Sequence, residues 1–177
     1  MSRKLHSKYD GLKYGWLKDA KKMILLLIAV SLVFQLVIGF SFVSGDSMEP
    51  TLQSGELVMY IRLNRKYKKG DVVSVRNPSG EYYVKRIIAV AGDTIQIRNG
   101  QVYINDTLLN EPYVNGETYE QAGIVRYPLT LQDGQIFVMG DNREVSVDSR
   151  VFGVVGNGQM KGKLLVHAGW GYIRWIR

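Results

Sequence analysis

The reactive chemistry of this chain is most easily traced from one serine, Ser47. It lies in residues 44–52, SGDSMEPTL, directly after a long apolar run. A serine hydroxyl attacks a carbonyl group effectively only when a nearby base accepts its proton. Residues 44–52, taken alone, are typical of an ordinary turn. Ser47 is therefore a candidate nucleophile only if the chain also supplies a base.

The candidate base is Lys85, which lies in the predicted strand YYVKRIIAV, residues 82–90. Period-two alternation places Lys85 on one face with Tyr83, Ile87 and Ala89, an unusual setting for an ammonium group. Desolvation lowers the pKa of a lysine in such surroundings, and a neutral amine can accept a proton. In the alternative interpretation the lysine stem lies along the sheet and the amine reaches water. The strand alone leaves both interpretations open.

A third polar segment, GDNREVSVDSR, occupies residues 140–150 after an apolar run. It is either a charged surface loop or the source of a hydroxyl and an ion pair that hold the lysine amine in place. Asp148 and Arg150 are two positions apart, so in an extended segment they lie on one face and can pair.

Other catalytic chemistries have little support in the sequence. The chain has no cysteine, which excludes a disulfide scaffold, a thiolate zinc site and a cysteine nucleophile. Its two histidines, His6 and His167, form no metalloprotease motif. A Ser-His-Asp triad would depend on His167, which we interpret as a structural or interfacial residue. We predict no metal and no cofactor.

Residues 23–43, MILLLIAVSLVFQLVIGFSFV, contain no charge. At about 1.5 Å per residue, a helix of this length crosses a hydrocarbon core of roughly 30 Å. A cleavable signal peptide typically has an apolar core of about 7–15 residues behind a short leader. An uncleaved anchor is therefore favoured over a signal peptide or a buried soluble helix. The predicted divisions are a basic leader (1–22), a transmembrane anchor (23–43) and a further domain (44–177).

The positive charge of the chain is concentrated before this anchor. Of the formal net charge of +7, residues 1–22 carry +5 and the remaining 155 residues only +2. A nucleic-acid-binding domain keeps its basic surface on the folded part, so membrane lipid is the expected partner and nucleic acid is not. Basic flanks favour the cytoplasmic side. The sequence thus predicts a single-pass cell-membrane protein with a cytoplasmic N-terminus and an extracytoplasmic domain.

The pattern after residue 44 is typical of short strands separated by turns. The pair Asn99-Gly100 between two alternating runs predicts a hairpin, and residues 77–80, NPSG, predict another turn. Residues 110–134, rich in Pro and Gly, are predicted to be irregular. Because no sustained helical periodicity occurs between residues 44 and 158, we predict a mainly β domain on a single N-terminal helix.

The C-terminal residues 164–177 are aromatic and basic. Trp170, Tyr172 and Trp175 beside arginines suit the interfacial layer of a membrane. A last strand that packs its aromatic side chains into the core fits the pattern equally well, and the sequence leaves both possibilities open.

The three polar segments together resemble the motifs of bacterial type I signal peptidases. Residues 44–52 resemble the nucleophile motif, residues 83–93 the lysine motif and residues 140–150 the third motif, while residues 70–73, GDVV, resemble a minor block. The order and spacing agree, and the matched blocks span roughly residues 43–153. The single anchor resembles the enzymes of Gram-positive bacteria.

This resemblance implies a signal-peptidase-like, all-β catalytic domain and a serine endopeptidase with a Ser/Lys dyad. It implies Ser47 as nucleophile and Lys85 as general base. Ser146 would donate or accept a hydrogen bond at the lysine, and Asp148 and Arg150 would support the site. The Ser47 backbone N–H would stabilise the oxyanion.

The resemblance also implies the substrate, a signal peptide of an exported preprotein with small residues before the cut in an Ala-x-Ala pattern. The peptide would bind as an added strand, and Met48, Tyr83 and Val84 are the predicted pocket residues. The family works at the outer face of the membrane, near the secretion translocon. The alternative function is a catalytically silent relative that assists assembly of surface proteins. A self-cleaving repressor would need a DNA-binding domain, for which residues 1–22 are too short.

Overall fold

The structure, a computed structural model, describes residues 2–63 and 66–176, and the side chains of residues 16–63 and 66–176. It divides into two compact units, Met1–Val37 and Ile38–Arg177. The side chain of His6 therefore lies outside the described residues.

The first unit consists of one long helix, α1 (Ser2–Val37). Its segment Trp16–Val37 has 22 residues and contains an 18-residue stretch with a mean hydropathy of 2.0, so it is long and apolar enough to cross a membrane. The predicted anchor, residues 23–43, extends past the end of this helix, because Ile38–Phe42 form a strand instead. These residues include isoleucine and two phenylalanines, which favour strands, and their backbone pairs with Leu57–Ile61. The C-terminal boundary of the anchor helix is therefore corrected to Val37.

The second unit is mainly β, as predicted. In the part of the chain that the structure describes, its strands and short helices are, in chain order, β1 (Ile38–Phe42), β2 (Leu57–Ile61), β3 (Val72–Arg76), β4 (Tyr82–Val90), β5 (Thr94–Arg98), β6 (Gln101–Ile104), β7 (Thr107–Leu108), β8 (Leu129–Thr130), β9 (Gln135–Met139), α2 (Ser149–Phe152), β10 (Val155–Gly156), a 3-10 turn (Asn157–Gln159), β11 (Met160–Gly169) and β12 (Tyr172–Trp175). Among the described residues, one antiparallel sheet has the order β1-β2-β11-β3-β4-β9-β10, with β12 paired to β11. The smaller sheet has the order β7-β6-β5-β8.

Both predicted turns are confirmed. Asn99 and Gly100 join β5 to β6 with positive φ angles of 51° and 76°, as a two-residue hairpin turn requires. Residues 77–81 join β3 to β4, and within them Gly80 N donates to Asn77 O over 3.0 Å. Residues 110–134 contain only the two-residue strand β8, in agreement with the predicted irregular segment.

Strand β4 departs from the predicted alternation at its C-terminal half. A register shift lies between Ile87 and Ala89 in the pairing of β4 with β9. Ile87 packs in one cluster with Val73 and Tyr83, whereas Ala89 packs in another. The prediction that Ala89 shares a face with Lys85 is therefore wrong, because the bulge interrupts the period of two.

The C-terminal segment forms strand β12, but its tryptophans do not enter the core. Trp170 and Trp175 are exposed, as is Ile173. His167 is buried and its Nδ1 lies 2.7 Å from Glu56 Oε2, while the Tyr172 hydroxyl donates to the other carboxylate oxygen of Glu56. His167 and Tyr172 thus both contact the Glu56 carboxylate, whereas the choice between a structural and an interfacial role for His167 stays a prediction.

One face of the strands β1, β2, β11 and β12 carries apolar side chains in two rows. Directly opposed residues in these antiparallel pairs point to the same side of the sheet. The rows, which we call the apolar face, are Phe42, Leu57, Ala168 and Ile173, followed by Phe40, Met59, Val166 and Trp175. Five of the eight side chains are exposed.

Candidate active site

Ser47 lies in a tight turn that follows β1. Within this turn Glu49 N donates to Asp46 O over 3.1 Å, and Leu52 N donates to Met48 O over 2.9 Å. The side chains of Met48 and Leu52 are fully buried in the cluster formed by Val58, Tyr60 and Leu164 on the sheet. Buried apolar residues after the serine therefore fix the turn, while Ser47 itself stays half-buried.

The Lys85 side chain reaches this turn from β4. Its Nζ atom lies 2.7 Å from Ser47 Oγ, although the two residues are 38 positions apart. Lys85 is only 3% exposed, so the interpretation in which its amine reaches water is wrong. The serine hydroxyl and the lysine amine, predicted from separate segments, are in hydrogen-bond contact.

Burial is the main influence on the protonation of this amine. Desolvation lowers the pKa of Lys85 from 10.5 to about 8, and Arg150 acts in the same direction. Asp148 and Asp141 oppose the shift without cancelling it. A substantial fraction of the amine is therefore neutral at mildly alkaline pH and able to accept a proton.

The third segment supplies a buried ion pair behind the lysine. Arg150 donates from Nε and Nη2 to the two carboxylate oxygens of Asp148, each over 2.9 Å. The pair forms, but not along an extended segment, because Asp148 is the N-cap of α2 and accepts from the Arg150 backbone N. The second oxygen of Asp148 also accepts from Gly140 N over 3.1 Å. The ion pair therefore fixes the strand end that faces Ser47.

Ser146 is buried close to Ser47 but does not yet complete the predicted arrangement. A Cβ atom added at Gly140 would collide with both Ser146 Oγ and the Ser47 carbonyl oxygen, so the three residues are closely packed. Ser146 Oγ has no hydrogen-bond partner among the described residues. Its contact with the Lys85 amine stays a prediction.

A second buried cation next to Lys85 was not singled out from the sequence. Arg86 donates from Nε and Nη2 to the two oxygens of Asp141 over 2.8 and 2.6 Å. Thr51 Oγ1 donates to the same carboxylate over 2.5 Å. This network joins β4, the nucleophile turn and the third segment. The sequence does contain a signal for this residue, because an arginine directly after Lys85 is unusual in an otherwise apolar strand.

Asn142 is another residue that the sequence interpretation missed. Its backbone N donates to Ser47 O over 3.1 Å, and its side-chain Nδ2 donates to Asp46 O over 3.2 Å. The Ser47 backbone N–H, in contrast, donates to no acceptor in residues 2–63 and 66–176. Asn142 thus holds the carbonyl groups of the turn and leaves the serine N–H free for an oxyanion.

A groove runs from the two reactive side chains between β1 and the start of β4. It contains all three predicted pocket residues; its lining is Ser41, Phe42, Val43, Ser44, Ser47, Met48, Val58, Tyr60, Ser74, Tyr82, Tyr83, Val84, Lys85, Lys161 and Leu164. Within the described part of the chain, β1 is the terminal strand of its sheet. Residues 82–85 pair only with β3, because β9 pairs with β4 from Arg86 onward. Two free strand edges therefore border the groove.

The described side chains provide no metal centre: no group of three or more His, Asp or Glu side chains among them could hold an ion. The site consists of a hydroxyl, a buried amine, a free backbone N–H and two buried ion pairs. Such a set can carry out nucleophilic attack on a carbonyl group with general-base assistance.

Comparison with known proteins identifies the family of this chain. The family described as "Signal peptidase, peptidase S26" matches residues 16–168. Signal peptidase I from Bacillus amyloliquefaciens is 39% identical over 140 residues, which are 74% of this chain and 75% of that protein. Signal peptidase I S from Bacillus subtilis (strain 168) is 37% identical over 148 residues, or 78% and 80%. A crystal structure of a signal peptidase I from Enterococcus faecalis V583 covers 56% of this chain and 97% of its own, with 32% identity and a TM-score of 0.49.

Proposed function

This chain belongs to the signal peptidase family S26 and is a serine peptidase, a hydrolase, and from this premise we propose that Ser47 and Lys85 form its catalytic dyad. The observation that carries the proposal is the 2.7 Å contact between Lys85 Nζ and Ser47 Oγ. The amine in this contact is buried and has a lowered pKa. Such an amine can replace histidine as the base that activates a serine.

The acylation step begins when neutral Lys85 Nζ takes the proton from Ser47 Oγ. The oxygen forms a bond to the scissile carbonyl carbon, and the negative charge moves onto the carbonyl oxygen. The free N–H of Ser47 donates to this oxyanion. The Lys85 ammonium then gives its proton to the leaving nitrogen as the C–N bond breaks, which leaves an ester on Ser47 and releases the mature protein.

The deacylation step repeats this sequence with water. Lys85 is neutral again and takes a proton from the attacking water, whose oxygen bonds to the ester carbon. The lysine proton returns to Ser47 Oγ as the ester bond breaks, and the signal peptide leaves with a free carboxylate. A pKa of about 8 suits both directions of proton transfer, because neither protonation state is strongly disfavoured at working pH.

The remaining polar residues act as positioning groups in this proposal. Arg150 and Asp148 fix the strand end that carries Gly140. Ser146 would hydrogen-bond the lysine amine after a rotation of its side chain, which is supported by its unpartnered hydroxyl. A fixed amine loses less entropy when it reaches the productive geometry.

The substrate is a signal peptide, and we propose that its last residues bind extended in the groove. The free edges of β1 and of residues 82–85 can each pair with an added strand. Met48, Tyr83 and Val84 would contact the side chains next to the cut. Buried Met48 leaves little depth there, which supports a preference for small residues in the Ala-x-Ala pattern.

The reaction takes place, in this proposal, at the outer surface of the cell membrane. The charge-free part of α1, residues 23–37, rises about 22 Å at 1.5 Å per residue, less than a hydrocarbon core of roughly 30 Å. Strand β1 starts at the next residue and carries Phe40 and Phe42 of the apolar face. We therefore propose that the apolar face contacts lipid, with the basic leader on the cytoplasmic side and residues 38–177 outside, near the translocon.

The test is cleavage of a purified preprotein by the full-length chain in lipid vesicles. We expect Ser47→Ala and Lys85→Ala each to lower the rate at least about a thousandfold, as loss of a nucleophile or its base does. Ser79→Ala, an exposed serine in the β3–β4 turn, is the matched control and should leave the rate unchanged. Near-normal turnover by Lys85→Ala would refute the dyad. No cleavage by the unaltered chain would favour the silent assembly factor instead.

A further inference from the structure

We propose that Lys161 selects substrates by the charge of the residue about four positions before the cut, favouring an acidic side chain and disfavouring a basic one. This inference rests on the proposed substrate groove. Lys161 lies on β11, and its side chain lines that groove together with Tyr60, Ser74 and Tyr82. It would be a specificity-determining residue remote from the reacting atoms.

The Lys161 ammonium is held at the groove by aromatic rings rather than by a carboxylate. Its Nζ atom lies 4.4 Å from the ring centroid of Tyr82 and 5.4 Å from that of Tyr60. These are cation–π distances, which orient the ammonium without neutralising it. The position of the cation is therefore defined while its charge stays available to a ligand.

Two other lysines of the domain have acidic partners. Lys163, two positions away, lies 2.6 Å from Asp71, and Lys69 lies 3.0 Å from Asp93. Lys161 has no ion pair within the described part of the chain. The neighbouring carboxylate of Glu81 accepts instead from Asn77 Nδ2 and the Tyr83 hydroxyl. An unpaired cation thus faces the groove.

The direction of the bound peptide follows from the membrane. The apolar segment of a signal peptide lies in the bilayer, as does α1 in the proposed topology. Strand β1 begins at Ile38, the residue after α1, so the upstream part of the substrate should run along β1 toward its start. Of the β1 residues that line the groove, Ser41 is the nearest to this start, and on β4 Tyr82 is the lining residue farthest along the strand from Lys85.

The separation of Tyr82 and Lys85 along β4 then shows which substrate residue lies near Lys161. Tyr82 precedes Lys85 by three residues, which is about 10 Å in a strand at roughly 3.3 Å per residue. A peptide whose residue before the cut lies beside Lys85 therefore has its fourth residue before the cut beside Tyr82. The Lys161 ammonium, stacked on Tyr82, lies within reach of that residue and of its neighbours at the third and fifth positions.

The experiment compares peptides that differ only by Asp, Asn or Lys at the third, fourth or fifth position before the cut, using the full chain in detergent micelles. We expect kcat/KM for Asp to exceed that for Lys by about fivefold, largest at the fourth position, and to fall with added salt, as for a partly exposed charge pair. Lys161→Met should abolish this ratio, and Lys161→Glu should invert it. The control Lys68→Met removes an exposed charge away from the groove and should keep the ratio.

Peptide affinity, measured in a variant that cannot cleave, tests this inference separately from the proposed catalytic role. The quantity compared is the affinity for the Asp peptide relative to that for the Lys peptide. A Ser47→Ala variant should bind the Asp peptide more tightly than the Lys peptide by a similar factor, and Ser47→Ala/Lys161→Met should not. An unchanged Asp-over-Lys preference in the Lys161→Met variants would overturn the inference. A binding preference that depends on Lys161 in a chain that cleaves nothing would support it while refuting the proposed function.

Discussion

The catalytic region and the apolar face place opposite kinds of side chain in unusual surroundings. Around Ser47 the chain buries Lys85, Arg86, Asp141, Asp148 and Arg150 almost completely. On the apolar face, strands of the same sheet expose two phenylalanines, an isoleucine and a tryptophan to the surroundings. Each arrangement is costly for a soluble, inert protein. Both become useful if the first carries the chemistry and the second meets lipid.

Three buried cations of the catalytic region, Arg86, Arg150 and Lys85, also differ in their partners. Arg86 and Arg150 are each neutralised by a carboxylate at hydrogen-bond distance. Lys85 Nζ instead contacts the Ser47 hydroxyl and the ring of Tyr83, and among the described residues no carboxylate forms an ion pair with it. A buried charge is tolerated when it is paired, and a buried lysine without a partner shifts its pKa instead. The two ion pairs are therefore expected to serve stability and geometry, and the unpaired lysine to serve proton transfer.

Breaking a buried ion pair should have the largest effect on stability. Asp148→Asn keeps the size of the side chain but leaves the Arg150 guanidinium, which is 1% exposed, without its counter-charge. We expect a loss of about 3–5 kcal/mol in the free energy of unfolding. Denaturant titration measures it. The exposed pair of Arg98 and Asp106 offers a control, and Asp106→Asn should cost less than about 1 kcal/mol. Equal losses would remove the distinction between buried and surface pairs.

Removing Lys85 should raise the free energy of unfolding, whereas breaking a buried ion pair lowers it. Because the pKa of Lys85 falls from 10.5 in the unfolded chain to about 8 in the fold, the unfolded state holds the extra proton between these values. The folded state thus carries a full penalty below pH 8, at most about 3 kcal/mol, which fades as the pH rises to 10.5.

The Lys85→Met variant is therefore expected to unfold at a higher temperature than the unaltered chain at pH 7, while the proposed dyad predicts that it has no activity. Its advantage should shrink between pH 8 and 10.5. Thermal unfolding of both proteins across this range measures the difference. A Lys85→Met variant that is less stable at pH 7 would show that the amine carries no net penalty.

Substitutions on the apolar face should have the smallest effects, and these effects should be on activity in the presence of lipid. Ile173→Ser is expected to lower activity in vesicles by about threefold, since it removes one buried side chain from the lipid contact. It should leave activity in detergent and thermal stability unchanged. Ile124 is a matched control, because it is 76% exposed against 77% for Ile173 but lies outside the apolar face. Equal vesicle defects in Ile124→Ser and Ile173→Ser would argue against a lipid contact.

The sequence predicted the parts of the site that local patterns encode. Ser47 and Lys85 each lie in a short motif with a distinctive setting, and the Asn99-Gly100 turn follows directly from backbone preference. The predicted end of the anchor helix was wrong because an apolar run such as Ile38–Phe42 suits a helix or a strand until its partner is known.

The parts that the sequence missed depend on contacts between distant segments. Asp141 takes Arg86 as its partner across 55 positions, and Asn142 reaches Asp46 across 96. Nothing in the local pattern of either residue identifies that partner. Lys161 likewise looks like an ordinary strand lysine until the fold places it beside two tyrosine rings.

The most direct test of the buried amine as the base is the pH dependence of kcat/KM for one signal-peptide substrate, measured between pH 6 and 10. We expect the rate to rise tenfold per pH unit on the acid side and to level off near an apparent pKa of about 8, the value that burial gives Lys85. A rate that is independent of pH across this range, or that rises without levelling off toward about 10.4, the ordinary lysine value, would contradict a neutral Lys85 as the group that activates Ser47.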